Sequence, residues 1–268
     1  MRRIIIGFLM LIAIRVEAQF PSPQMFHDWQ AVAGSRAVAG SVDPLPQWAN
    51  VKLFWKMSSS ALTNDSGPGG NAHPWNNAGG VVASNGAAYF SGTTYGTGGD
   101  CYTNCGVISN HNWAVSWWEY MPAPTAYGYR FDGGYTWGST YSTGWEAEKR
   151  TATYAFTIAN RAGVIWTGTT NAGWHQIVAA STKAVPGYQI YYDGTHVGTN
   201  GNLGTSDAWS HNFGTAGQIF SLGRSPDGYN YFIGFLDDVV VWDFADGTSF
   251  FTAQDATNYF SLYPRTTD

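Results

Sequence analysis

The residues best suited to chemistry in this sequence are a handful of carboxylates set among aromatic rings. The stretch FIGFLDDVVVWDF, 232–244, places Asp237 and Asp238 inside an apolar run that reads as a buried β-strand. Side chains on a strand alternate faces. Asp237 therefore shares a side with Val239 and Val241, which suit an inner face, and Asp238 is expected on the outer, solvated side. A buried carboxylate needs hydrogen-bond donors or a cation, because an unpaired one is strongly disfavoured away from water.

A second acidic stretch, STGWEAEKR, holds Glu146 and Glu148 two residues apart, on one face of a strand, with Trp145 as a neighbouring ring. Paired carboxylates about 5 Å apart are what retaining glycosidases use. Lys149 and Arg150 adjoin the pair, however, and a solvated charged stretch accounts for all four residues. Glu119, in SWWEYMPAP, reads as a strand-end acid bonded to a loop, after Trp117 and Trp118, which face opposite ways. The six histidines show no H-x-x-x-H spacing for a metal, and His175 beside Trp174 is explained by packing. No Gly-x-Ser-x-Gly elbow and no phosphate-binding loop occurs. These readings lead to the expectation that the chain is not an enzyme.

The section YGYRFDGGYTWGSTYSTGW, 127–145, combines rings with polar groups. Sugars stack their C–H faces on flat aromatic rings while polar side chains reach their hydroxyls. Asp132, Tyr135, Trp137, Tyr141 and Trp145 are the expected ligand-binding residues. The competing reading is a strand pair whose alternate aromatics fill a core.

The elements that must carry these residues are short strands. Charged residues make up 12% of the chain, with 33 Gly, 13 Trp and 16 Tyr, which suits many strands joined by tight turns and leaves little for helix surfaces. VKLFWKM, NWAVSWWEYM, GWHQIVAAST and AGQIFSLGRS read as strands, and RTATYAFTIANRAGVIWTG as two. GYQIYYDGTHVGT is a hairpin whose Asp193-Gly194 supplies a type I′ turn. FTAQDATNYF is a short helix. The expected fold class is all-β, a two-sheet antiparallel β-sandwich or jelly roll.

Residues 1–18 have the basic start, apolar run and small-residue exit of a secretory signal peptide, with cleavage expected after Ala18; the run is too short to span a bilayer. Residues 19–47 are a Pro/Gly-rich lead-in or arm, and 48–268 form the folded domain. The formal net charge is −5, and loss of residues 1–18, which hold three arginines and one glutamate, makes it −7. An acidic chain with scattered Lys and Arg has no footprint for nucleic acid and no polybasic patch for a membrane. Cys101 and Cys105, a close pair in a secreted chain, are expected to form a loop disulfide.

Four stretches carry a likeness to a known family: VKLFWKMSSSALTNDSGPGGN, GGVVASNGAAYFSG, GWHQIVAASTKAVPGYQIYYDGTHVG and SLGRSPDGYNYFIGFLDDVVVWDFA. Trp174-His175, the hairpin from Tyr191 to Gly194, and the closing run Gly234 to Val239 resemble the laminin G-like and concanavalin A-like lectin and glucanase superfamily. The resemblance implies a jelly-roll sandwich and a structural calcium ion, for which Asp237 is a candidate ligand and Asp65 a partner. Backbone N–H groups are the alternative partners of Asp237. The family's catalytic Glu-x-Asp-x-x-Glu strand is absent. The expected function is a secreted, non-catalytic module that binds glycans or a glycosylated surface. The alternatives are a structural or attachment protein making protein contacts, and a divergent glycoside hydrolase.

Overall fold

The computed structural model describes residues 45–57, 62–64, 66–68, 74–77, 80–84, 86–92, 96–97, 112–121, 128–133, 145–150, 153–158, 162–167, 173–181, 188–200, 220–224, 231–244 and 248–262. Between 128 and 167 it is the backbone that is described. The signal peptide, residues 19–44 of the lead-in and the Cys101–Cys105 pair lie outside these residues.

Apolar runs with strong β-formers become strands where the sequence places them: β1 (Val51–Trp55), β2 (Val82–Ser84), β3 (Ala87–Ser91), β4 (Gly96–Thr97), β5 (Asn112–Met121), β6 (Gly128–Gly133), β7 (Trp145–Arg150), β8 (Thr153–Ile158), β9 (Ala162–Thr167), β10 (Gly173–Ser181), β11 (Tyr188–Tyr192), β12 (Thr195–Asn200), β13 (Phe220–Leu222) and β14 (Ile233–Phe244). One α-helix, α1 (Ala253–Leu262), follows. A capping box starts it. Thr252 Oγ1 accepts the Asp255 N–H at 3.1 Å, and the Asp255 carboxylate accepts the Thr252 N–H at 2.8 Å.

The expected two-sheet jelly-roll sandwich is corrected by the sheet topology. The described core is organised by one open antiparallel sheet of eight strands, ordered β12-β11-β10-β5-β14-β3-β2, with β1 paired to β14. Its end strands do not meet. The physical reason is that this sheet buries both faces, whereas each sheet of a simple sandwich buries one. Trp113, Val115, Trp117, Ile177, Ala179, Leu236, Val239 and Val241 belong to the core on the first face. Ala114, Val178, Val240 and Trp242 pack on the second face against Phe251, Ala256 and Tyr259, the last two from α1. A further six strands, β4-β13-β6-β7-β8-β9, pair among themselves. This smaller sheet reaches the first-face core through Leu222, and β9 runs close beside β11 and β12 at the large sheet's edge.

The face assignment of Asp237 is corrected as well. In the β5–β14 pairing Asp237 stands opposite Trp118, but Val240 stands opposite Ser116. Strand β14 therefore spends one extra residue there, a β-bulge, and Asp238 takes left-handed backbone (φ 45°). The extra residue inverts the alternation. Val239 and Val241 keep the first face, while Asp237 falls on the second with Trp118. Asp238, expected to be solvated, is 1% exposed.

Candidate functional site

The smaller sheet brings the acidic residues together. Pairing register places Leu222, Phe131, Ala147, Phe156 and Val164 in one row across β13, β6, β7, β8 and β9. The adjacent row reads Ser221, Asp132, Glu146, Thr157 and Gly163. Adjacent rows take opposite faces of a sheet. Leu222 belongs to the buried core, so the row with Asp132 and Glu146 lies on the sheet's other face. Register thus sets an apolar row and a row with hydroxyls and carboxylates on opposite faces of the sheet.

Asp132 and Glu146 stand directly opposite each other. Cross-strand neighbours have Cβ atoms about 5 Å apart, and like charges so placed destabilise a sheet. Glu148, two residues along β7, shares their face. The sequence pairs Glu146 with Glu148 by spacing; the register adds Asp132, which no local spacing could reveal. Trp145, opposite Gly133 and next to Glu146, falls on the other face from Asp132. Tyr135, Trp137 and Tyr141 belong to the connection between Gly133 and Trp145 and lie outside the described residues.

A second polar cluster sits at one end of the large sheet, and its origin is the hairpin turn. Asp193 (φ 48°) and Gly194 (φ 73°) are the two left-handed residues of the expected type I′ turn, closed by the pair Tyr192–Thr195. In that conformation the Asp193 carboxylate reaches back to β10. Its Oδ1 accepts the Gln176 N–H at 2.8 Å, and its Oδ2 accepts a hydrogen bond from His175 Nδ1 at 2.8 Å. A carboxylate only accepts, so Nδ1 is the protonated nitrogen of this imidazole. The Asp193 N–H donates to the Gln176 carbonyl at 2.9 Å. The His175 ring stacks on Tyr192 with centroids 4.8 Å apart.

Glu119 stands opposite His175 in the β5–β10 pairing and is fully buried, accepting the Trp117 indole N–H at 3.1 Å. One partner of Glu119 is thus a tryptophan of its own strand. Burial, and then the charges of Asp193 and Glu119, push the Tyr192 hydroxyl well above its ordinary value of 10.0. This cluster ties the hairpin to the sheet. The partnership of His175 with Asp193, eighteen residues away, was not read from the sequence; the Asp-Gly turn facing the start of β10 was the available signal.

Asp237 is fully buried beside Trp118. Among the described residues there is no group of three His, Cys, Asp or Glu placed to hold a metal ion. Asp65 lies outside the described residues.

No family model and no curated protein sequence matches this chain. Solved structures do resemble it. Domain 4 of a GH43 extracellular arabinanase from Geobacillus stearothermophilus, solved with arabinotriose, superposes with a TM-score of 0.50 at 16% identity, covering 78% of this chain and 98% of that one. Botulinum neurotoxin type C, which enters cells through interaction with two ganglioside molecules, gives 0.57 at 10% identity over 82% of this chain and 52% of its own. The binding domain of botulinum neurotoxin DC in complex with rat synaptotagmin II gives 0.58 at 9% identity, over 82% and 53%. This chain spans about half the length of the two neurotoxin chains. At these identities the likeness is one of fold alone. Among the described residues no helix is long and apolar enough to cross a membrane.

Proposed function

We propose that this chain is a secreted, non-catalytic module of laminin G-like kinship that binds glycans through the outer face of its smaller sheet. The observation that carries the reading is the row Ser221–Asp132–Glu146–Thr157. Two carboxylates directly opposite each other weaken a sheet, so stability does not explain them. A polyhydroxylated ligand does, because sugar hydroxyls donate to carboxylates and exchange hydrogen bonds with Ser and Thr. Tyr135, Trp137 and Tyr141, which lie between β6 and β7 in the sequence, would supply stacking surfaces. The arabinotriose and ganglioside partners of the resembling structures agree with such a ligand class. Contacts on a sheet face are shallow, so binding gains from multivalent display.

The test is a glycan array probed with the multivalently displayed chain. Selective binding, lost on Asp132→Asn or Glu146→Gln and weakened on Trp137→Ala, is expected. A blank array overturns the glycan reading and moves the outer face to protein contact. Paired carboxylates are also what a glycosidase uses. Release of new reducing ends from a bound glycan, abolished by replacing either acid, would make the module a hydrolase.

A further inference from the structure

The second face of the large sheet holds a polar triangle that neither the glycan reading nor the hairpin cluster uses. Gln176 on β10 stands opposite Trp118 on β5, and Ser116 lies two residues from Trp118 on the same face. All three residues are fully buried. The Ser116 Oγ, the Trp118 Nε1 and both amide atoms of Gln176 have no hydrogen-bond partner among the described residues. Direct cross-strand neighbours lie about 5 Å apart and same-face residues on one strand about 7 Å apart. The residues that carry the unsatisfied atoms are thus close neighbours on one face.

Helix α1 roofs that region. The Phe260 ring stacks on Trp118, with centroids 5.6 Å apart and planes at 19°. Thr257 Oγ1 donates to the Gly194 carbonyl at 3.1 Å, which fixes the helix over the hairpin tip beside Gln176. Buried polar atoms are nearly always paired, with protein or with ordered water.

We propose that this triangle is an internal hydration site, with ordered water held between β10, β5 and α1. The donor set decides the ligand. The indole N–H and the amide NH₂ only donate, so they repel a bare cation. The amide oxygen only accepts, and the Asp237 carboxylate lies across Trp118 on the neighbouring strand, so an anion is disfavoured. Water both donates and accepts, and it needs two to four polar partners to be held. The triangle supplies four such atoms. The site thereby joins the helix roof to the centre of the sheet through hydrogen bonds that side chains alone do not complete.

A crystal structure of the full chain, at a resolution that orders water, tests this. Density at about 2.7–3.2 Å from at least two of Ser116 Oγ, Trp118 Nε1 and the Gln176 amide is expected. The same density should be absent from the Ser116→Ala, Gln176→Met double variant. A dry site, or direct bonding of these atoms to protein groups, overturns the proposal. So does an oxygen-rich shell at about 2.4 Å around an anomalous scatterer, which would mark calcium instead. Should the double variant fail to fold, the wild-type map decides alone.

Discussion

Asp193 does two jobs with one side chain, and substitutions separate them. It tolerates left-handed backbone, and its carboxylate holds His175 and the Gln176 N–H. Asn also tolerates that backbone and keeps an acceptor oxygen. Asp193→Asn should therefore cost little in urea unfolding, whereas Asp193→Ala should cost about 1–2 kcal/mol, the low end for a partly exposed group losing its bonds. Equal costs for both variants would remove the clamp from the account. Tyr192 gives a pH prediction. Its folded hydroxyl titrates above the unfolded one, so its contribution is fully present below pH 10.0. Above that pH the unfolded chain ionises first, and stability falls as pH rises. Tyr89, Tyr120 and Tyr191 are raised in the same direction by burial and add to the loss. Melting temperature should drop steeply above pH 10, and less steeply in Tyr192→Phe; parallel curves would contradict this.

Elements were legible where local chemistry specified them. Asp193-Gly194 between β-formers defined the hairpin, and the apolar runs defined β1, β5, β10 and β14. The helix after Phe251 was readable too, and Thr252→Ala should cost it about 1 kcal/mol by thermal unfolding, because the capping box is lost. What failed was parity. A bulge at Asp238 is a property of the β5–β14 pairing, and nothing in the spacing of Asp237, Val239 and Val241 announces it. Gly234 marks a similar constraint upstream. Its backbone (φ 148°) is a glycine conformation, and a Cβ there would clash with the Tyr120 carbonyl. Gly234→Ala should destabilise the chain by about 2 kcal/mol or more, the range in which backbone strain joins a steric clash. A near-neutral effect would show that β14 can slide away from β5.

The whole molecule divides labour between its sheets. The large sheet spends both faces on burial, under α1 on one side and over the tryptophan-rich core on the other. That is why an expected sandwich proved to be centred on one open sheet: the sequence shows apolar alternation on β5 and β14 but not how many layers cover them. The small sheet keeps a polar face, and there the candidate site was half legible. Asp132, Glu146 and the aromatic run between them were visible as composition, while the row that aligns Ser221, Asp132, Glu146 and Thr157 comes from pairing between residues up to ninety positions apart. The account holds that this row is kept for binding at some cost in stability. One comparison tests it most directly: affinity for an array-selected glycan and melting temperature, measured together on the wild-type chain and on the Asp132→Asn, Glu146→Gln double variant. The account predicts affinity lower by at least about tenfold, with a melting temperature unchanged or slightly raised, since relieving opposed charges returns a few tenths of a kcal/mol. Unchanged affinity, or a collapsed melting temperature, would contradict it.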